Sequence, residues 1–469
     1  MLPNEILLEI FDFIRLATLD NSSDLWKWHG LAHVCRRWRN LIFESPRRLD
    51  LRLAYTFKSP PRKSLGLWPD LPVSVWYPKS LHRRRLSPGD EENVLAVLKH
   101  ANRICDINIS MTRQLALKSA ASLQASFPIL QRLQLRSQET LKPLPIPDRF
   151  LGGSTPLLRD IHLIRAVSPT LPVLLLSTQA LVSLQLDDIP SSGYFSPEAL
   201  ANSLSGMAQL NTLKIRFLPP NAHERSLDAS LINRAILPAL IEFEFKGNCE
   251  YVEDLVSRID APALGKISIT FIEQPTFGIP RLARFIGRTK EAKLPHHTSV
   301  RLSEEVVIDQ YFRRRSCPDS SSGTFQLRIP CDELDRQISL LIHVCQYISE
   351  PLSGVERFDI EAFPHSFNRM DGEEMDTSVW LELFRSFRGA KSLEVSGGLV
   401  TSVASALGRA TGEMARIVLP ALRDLHMLNS SSASTSIEQF IAARQLCNRP
   451  VAVHYEKVGS LDDNKSMDD

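Results

Sequence analysis

The stretch LQRLQL at residues 130–135 decides the fold, because its arrangement of an apolar residue, two spacers and two alternating apolar positions returns along the chain. Copies read ICDINI (104–109), LRDIHL (158–163), LVSLQL (181–186), LNTLKI (210–215), LIEFEF (240–245), LGKISI (264–269), VERFDI (355–360), AKSLEV (390–395) and LRDLHM (422–427). Alternation at period two marks a strand with one buried face. Leu133, Leu184, Leu213 and Leu425 are therefore predicted to point inward, and Gln134, Gln185, Lys214 and His426 outward. Between copies the apolar residues switch to helical spacing, in PEALANSLSGM (197–207), EYVEDLVSRI (250–259), LDRQISLLIHVCQYI (334–348) and VWLELFRSF (379–387). Strand and helix alternate, so the fold class is α/β.

Equivalent positions 107, 133, 161, 184, 213, 243 and 267 lie 23 to 30 residues apart, near the period of leucine-rich repeats. A strand with a single apolar stripe cannot bury it alone and must stack on its neighbours, which predicts an irregular solenoid with a curved parallel sheet from 100 to 457. The register is lost between about 290 and 350. There HHTSVRLSEEVVIDQYFRRRSCPDSSSGTFQLRI (296–329) has room for one or two divergent copies, around 300–302 and 325–329.

The 469 residues are 43% hydrophobic and 23% charged, the balance of a folded globular chain. Net charge is only +2, which argues against a nucleic-acid binder. The longest uncharged run, Ala166 to Leu186, carries Pro169, Pro172 and several polar residues, so no membrane span is predicted. Glu5 and Glu9 interrupt the apolar N-terminus, which is wrong for a secretory signal. Seven scattered cysteines without a CxxC pair signal neither a disulfide framework nor a thiolate zinc site. Together these features predict an intracellular protein, cytoplasmic or nuclear.

Five of six tryptophans (26, 28, 38, 68, 76) fall in the first 76 residues, marking a separate N-terminal module. Ile6, Leu7, Ile10, Phe11 and Ile14 stand at helical spacing behind Pro3, whose missing N–H and fixed φ suit a first turn. After a polar break at 20–23, Leu31, Val34, Cys35, Trp38, Leu41 and Ile42 predict a second amphipathic helix that ends before Pro46. Segment 56–90 is rich in proline and basic residues and reads as an irregular part of a 46–99 connector. The tail 458–469 has no apolar face and reads as disordered.

Leu2-Pro3-x-Glu5-Ile6-Leu7-Leu8-Glu9-Ile10-Phe11, followed by His33-Val34-Cys35-Arg36-Arg37-Trp38-Arg39, resembles the F-box. With SPRRLDLRL (45–53), LWPDLPVSVW (67–76), the degenerate repeats and a closing IEQFIAARQL (437–446), the whole chain resembles the F-box family expanded in mushroom-forming fungi. That resemblance implies a substrate receptor of an SCF-type ubiquitin ligase. The module 1–45 would dock on a Skp-type adaptor, and through it a cullin, while the repeats would hold an unknown protein client. The adaptor-facing candidates it implies are Leu2, Pro3, Ile6, Leu7, Ile10, Phe11, Val34, Cys35 and Trp38. They divide between core and interface in a way sequence does not fix.

The first helices could be a polar end cover for a repeat array. The arginine clusters at 36–37, 83–85 and 313–315 could be nuclear-localisation or nucleic-acid patches, but solvated loop charge accounts for them more simply. The tryptophans could form a ligand cage, against the plainer reading that they fill a junction. His296 and His297 with Glu304 and Asp309 could suggest a metal, but adjacent histidines point apart in regular structure and no third ligand has helical spacing. No GxxxxGK[ST], HExxH, GxSxG or GxGxxG is present, so no enzyme, cofactor or metal is expected. Two competitors remain: an F-box repeat scaffold that binds partners without ubiquitin transfer, and a hydrolase assembled from dispersed residues.

Overall fold

A computed structural model of the chain describes residues 2–16, 27–45, 53–55, 71–76, 87–139, 142–168, 170–219, 234–272, 278–289, 295–312, 323–348, 352–363, 377–410, 412–428 and 434–456. It divides into two compact units, residues 1–220 and 221–469. Both are mixed α/β and mostly parallel in their sheets. Among the described residues no helix is long and apolar enough to cross a membrane, and the six described cysteines are free.

In the first unit every neighbouring strand pair is parallel, in the order 53–55, 73–76, 104–111, 132–137, 160–164, 183–189 and 212–217. Register places Ile107, Leu133, Ile161, Leu184 and Leu213 in one row across five strands. Two residues further along, Ile109, Leu135, Leu163, Leu186 and Ile215 form a second row. All ten side chains are buried. The leading residues Leu130, Leu158, Leu181 and Leu210 are buried too, in the turns before the strands. Each row is thus a stripe that one strand could not shield alone. Gln134, Gln185 and Lys214 sit half-buried on the opposite face, as alternation requires.

Helices return the chain between strands, and several begin on the cap signals their sequences carry. Ser87 accepts from the Asp90 backbone N–H while Asp90 accepts from that of Ser87, with Pro88 in the first turn. Thr112 and Ser196 accept from Leu115 and Ala199 in the same way. The strand Val73–Trp76 and the start of the helix Pro88–Leu98 correct the reading of 56–90 as irregular; Val73–Trp76 and the strand Leu53–Tyr55 before that segment both pair in the sheet ahead of the first alternating copy. Strands of three and four residues are too short to show a period between prolines and arginines. Trp26, Trp68, the Trp28 side chain, the arginine clusters at 83–85 and 313–315 and the tail 458–469 lie outside the described residues.

The second unit contains the region of lost register. Its strand order is 242–247, 266–271, 323–330, 305–312, 295–302, 357–362, 392–397, 424–428 and 452–456. Strands 295–302 and 323–330 hold the two expected divergent copies, but 305–312 runs antiparallel between them. The chain therefore leaves 266–271, skips two places, turns at Ser303-Glu304 and comes back, so the sheet keeps its parallel edges on both sides of a reversed strand. The inward row runs Phe243, Ile267, Phe325, Gln310, Thr298, Phe358, Leu393 and Leu425. Two polar residues stand there in place of leucines, both buried, with Gln310 Nε2 and Thr298 Oγ1 lacking hydrogen-bond partners among the described residues. His426, on the outward face, stacks on His454 with ring centroids 4.6 Å apart.

Gly397 closes the strand Ser392–Gly397 with φ +70°, and a Cβ there would collide with the Ala362 carbonyl of the neighbouring strand. Gly397→Ala is expected to lower stability by at least about 2 kcal/mol, from the left-handed backbone and the forced strand separation together. Denaturant melts of the two proteins check this; equal midpoints would show that the turn can relax.

Candidate functional site

The N-terminal helices are α1 (Asn4–Leu16), α2 (Lys27–Val34) and α3 (Arg36–Glu44). The single helix read over 31–42 is broken at Cys35, whose backbone is extended (φ −157°, ψ 168°) and whose Sγ accepts from the Trp38 backbone N–H at 3.4 Å. A thiol is a weak acceptor, yet it serves as the side-chain cap of α3. The break turns Val34 and Cys35 into an exposed corner. α1 continues to Leu16 and α2 begins at Lys27, with the polar break at 20–23 outside the described residues between them.

The core of the three helices is Leu7, Leu8, Phe11, Ala32, Leu41 and Ile42, all buried. Phe11 meets the half-buried Trp38 edge to face, centroids 4.9 Å apart and planes at 64°, a favourable quadrupole arrangement. Arg39 Nε donates to the Ala32 carbonyl at 3.0 Å, across the break between α2 and α3. Arg37 reaches back to α1, donating to the Leu2 carbonyl at 2.6 Å and to Asn4 Oδ1 at 2.7 Å. Arg37, which the sequence places in a solvated charge cluster, clamps the start of α1. No local pattern announces this, since the partners lie more than thirty residues away in sequence.

The nine candidates separate cleanly. Leu7 and Phe11 are core, 3% and 2% exposed, and Trp38 leans on Phe11. Leu2, Pro3, Ile6, Ile10, Val34 and Cys35 are exposed. Ile6 and Ile10 thus leave the apolar face on which their spacing placed them, and Leu8 takes a core position instead. Phe13, absent from that spacing, is 73% exposed, the highest value for a large apolar side chain among the described residues of the module. Ile6, Ile10 and Phe13 follow one another at intervals of four and three, so they form a single row along α1, with Leu2 just ahead of it. Val34 adds a further exposed apolar side chain, 59% exposed. Clustered large apolar side chains left in water mark an interaction surface.

In the second unit His297 is engaged with its neighbours on the sheet. His297 Nε2 lies 2.6 Å from Asp359 Oδ2 on the adjacent strand, and its ring stacks on Tyr311 at 5.1 Å. The same Asp359 accepts from Arg357, which also binds Glu394. Among the described residues no group of three or more His, Cys, Asp or Glu side chains is placed to hold a metal ion.

A family model described as F-box-like matches residues 1–52, the same segment that forms these three helices. Domains of that family generally bind Skp-type adaptors. No curated protein matches the chain.

Proposed function

We propose that this chain is the substrate-receptor subunit of an SCF-type ubiquitin ligase. Residues 1–45 dock on a Skp-type adaptor and through it a cullin, while an irregular leucine-rich-repeat-like solenoid from 100 to 457 holds a protein client. The observation that carries this reading is the F-box-like match over 1–52, where the exposed apolar row of α1 and Val34 also lie. The chain performs no bond chemistry in this scheme; it sets the distance and orientation between a client and the transfer machinery. The stacked leucine rows support the solenoid reading, because a row of equivalent inward residues is what repeated supersecondary units produce when each covers its neighbour. Outward side chains are then free to differ from strand to strand, which suits client recognition.

The test is a pair of surface variants in the full-length chain, Phe13→Asp and Val34→Asp. Both side chains are mostly in water, so the fold should survive, and adaptor capture should fall by roughly tenfold to a hundredfold as apolar contact is replaced by a charge needing desolvation. Capture at the unmodified level by both variants would remove this face as the docking surface. A reconstituted ligase then separates receptor from scaffold: a scaffold would bind adaptor and client yet leave the client without ubiquitin.

A further inference from the structure

We infer that the outward sheet face of the first unit carries a docking site for an extended peptide bearing one carboxylate side chain, centred on Trp76, Asn108, Gln134 and Arg136. This inference rests on the reading of the sheet as a client-binding surface and gives that client its chemistry.

Strand register puts Trp76 beside Asn108 and Asn108 beside Gln134, so the three form one row across three adjacent strands. Arg136 and Gln138 follow Gln134 at intervals of two along the same strand direction. Their neighbours Leu133 and Leu135 are buried in the core, which places this set on the opposite face. At about 4.8 Å between strands and about 3.3 Å per residue, the patch measures roughly 10 by 13 Å, the length of about four extended residues.

Within this patch hydrogen-bonding groups are left open. Among the described residues, Trp76 Nε1, Arg136 Nε and Gln138 Oε1 are buried atoms without a partner. Beside them, the half-buried Asn108 and Gln134 each carry a side-chain amide that donates and accepts. A few scattered orphans occur in any protein, but orphaned atoms gathered on neighbouring strands ask for a ligand that satisfies them together.

Neighbouring acids on this face are engaged. Arg132 Nη2 donates to Asp106 at 2.7 Å, and Asp160 stands next to Arg132 in register. Asp187 lies 2.8 Å from His162 Nε2 and 3.5 Å from Arg216 Nη1. Burial pushes the Asp187 carboxyl up, but the His162 hydrogen bond and the charges of Arg216, His162 and Lys214 outweigh it and hold the group below its ordinary value. Arg136 has no such carboxylate. The patch therefore offers one open cation, an indole N–H and two primary amides that donate and accept.

An extended peptide matches these demands. Its main chain presents both N–H and C=O to the amides whatever its sequence, and a carboxylate accepts a bidentate pair from an arginine. The spacing agrees as well. Side chains on one face of an extended peptide repeat at roughly 6.7 Å, the separation of Gln134 from Arg136 along their strand. A segment lying along this strand can thus be held by its main chain at Gln134 and by its acid at Arg136.

Purified full-length chain would be titrated into two fluorescent degenerate libraries of peptides about nine residues long, identical but for a central Glu or Gln. The Glu library should bind about tenfold more tightly, the worth of a charge-assisted hydrogen bond. Arg136→Gln should erase that preference, and Asn108→Ala with Gln134→Ala should weaken both libraries. Equal binding of the two libraries, binding of neither, or a preference that survives Arg136→Gln would overturn the site. Adaptor capture and melting are read on the same samples. Failure of the ligase reading would appear as lost capture in the unmodified chain, and failure of the docking site as lost acid preference with capture intact.

Discussion

Leu7→Asp is expected to abolish adaptor capture by unfolding the helices that present the docking face. Leu7 is 3% exposed and stands one helical turn before Phe11, whose ring meets Trp38. A carboxylate there meets apolar walls and leaves a void where the leucine was, at a combined cost of roughly 3–5 kcal/mol. A module this small has little stability in reserve, so most of it should be lost. Hydrogen exchange on the full-length chain would read the change residue by residue: protection should vanish over α1, α2 and α3 and persist in the buried strands of both units. The contrast with Phe13→Asp is the informative part. Both should lose the adaptor, but only Leu7→Asp should lose protection, because one acts on the core and the other on the surface. Retained capture and retained protection in Leu7→Asp would mean that α1 packs differently.

Trp380→Ala is expected to be the most destabilising single truncation in the second unit. Trp380, on the helix Thr377–Arg385, is fully buried and stacks on Phe384 at 6.1 Å with planes 28° apart. Removing an indole from a closed core costs about 3–5 kcal/mol, because the surroundings collapse only in part. For a unit of this size that is a fall of roughly 6–20 °C in melting temperature. Its Nε1 has no hydrogen-bond partner among the described residues. Trp380→Phe should therefore be far milder than truncation, since the lost ring volume is offset by removal of an orphaned donor worth about 1–3 kcal/mol. Calorimetry on the three proteins checks the order; a phenylalanine variant as unstable as the alanine one would place a partner on that N–H.

The contrast between these two sites shows where sequence reading has reach. Leu133, Leu184, Leu213 and Leu425 were legible as inward positions because alternation is a local property, settled within six residues, and all four are buried. The helices Cys249–Arg258 and Leu334–Tyr347 were legible for the same reason, their period being contained in their own sequence. The resemblance of the first helices to an F-box was equally local, carried by a short run of residues. On α1, by contrast, the spacing of Ile6, Leu7, Ile10, Phe11 and Ile14 could not show that Ile6 and Ile10 stand in water while Leu8 is covered. A helix has as many buried positions as its neighbours can cover, and the arc covered by α2 and α3 is set by partners far along the chain.

Topology follows the same division. Strands at 295–302 and 323–330 could be placed from their alternation, but period two is identical for a strand run forward or backward. The reversed strand 305–312 and the order of the sheet around it come only from pairing. Gln310 and Thr298 enter the inward row by that pairing, against their polarity. Arg37 clamps α1, and Trp76, Asn108 and Gln134 share a row, through contacts between residues about thirty apart in sequence. The ten alternating segments and the helices between them were readable without the fold, as was the apolar face of each of those strands, because they follow from the period of neighbouring side chains. Tertiary structure decided which apolar side chains stay in water, which strand runs backward and which polar groups remain unpaired, because each depends on what a distant segment covers or leaves open.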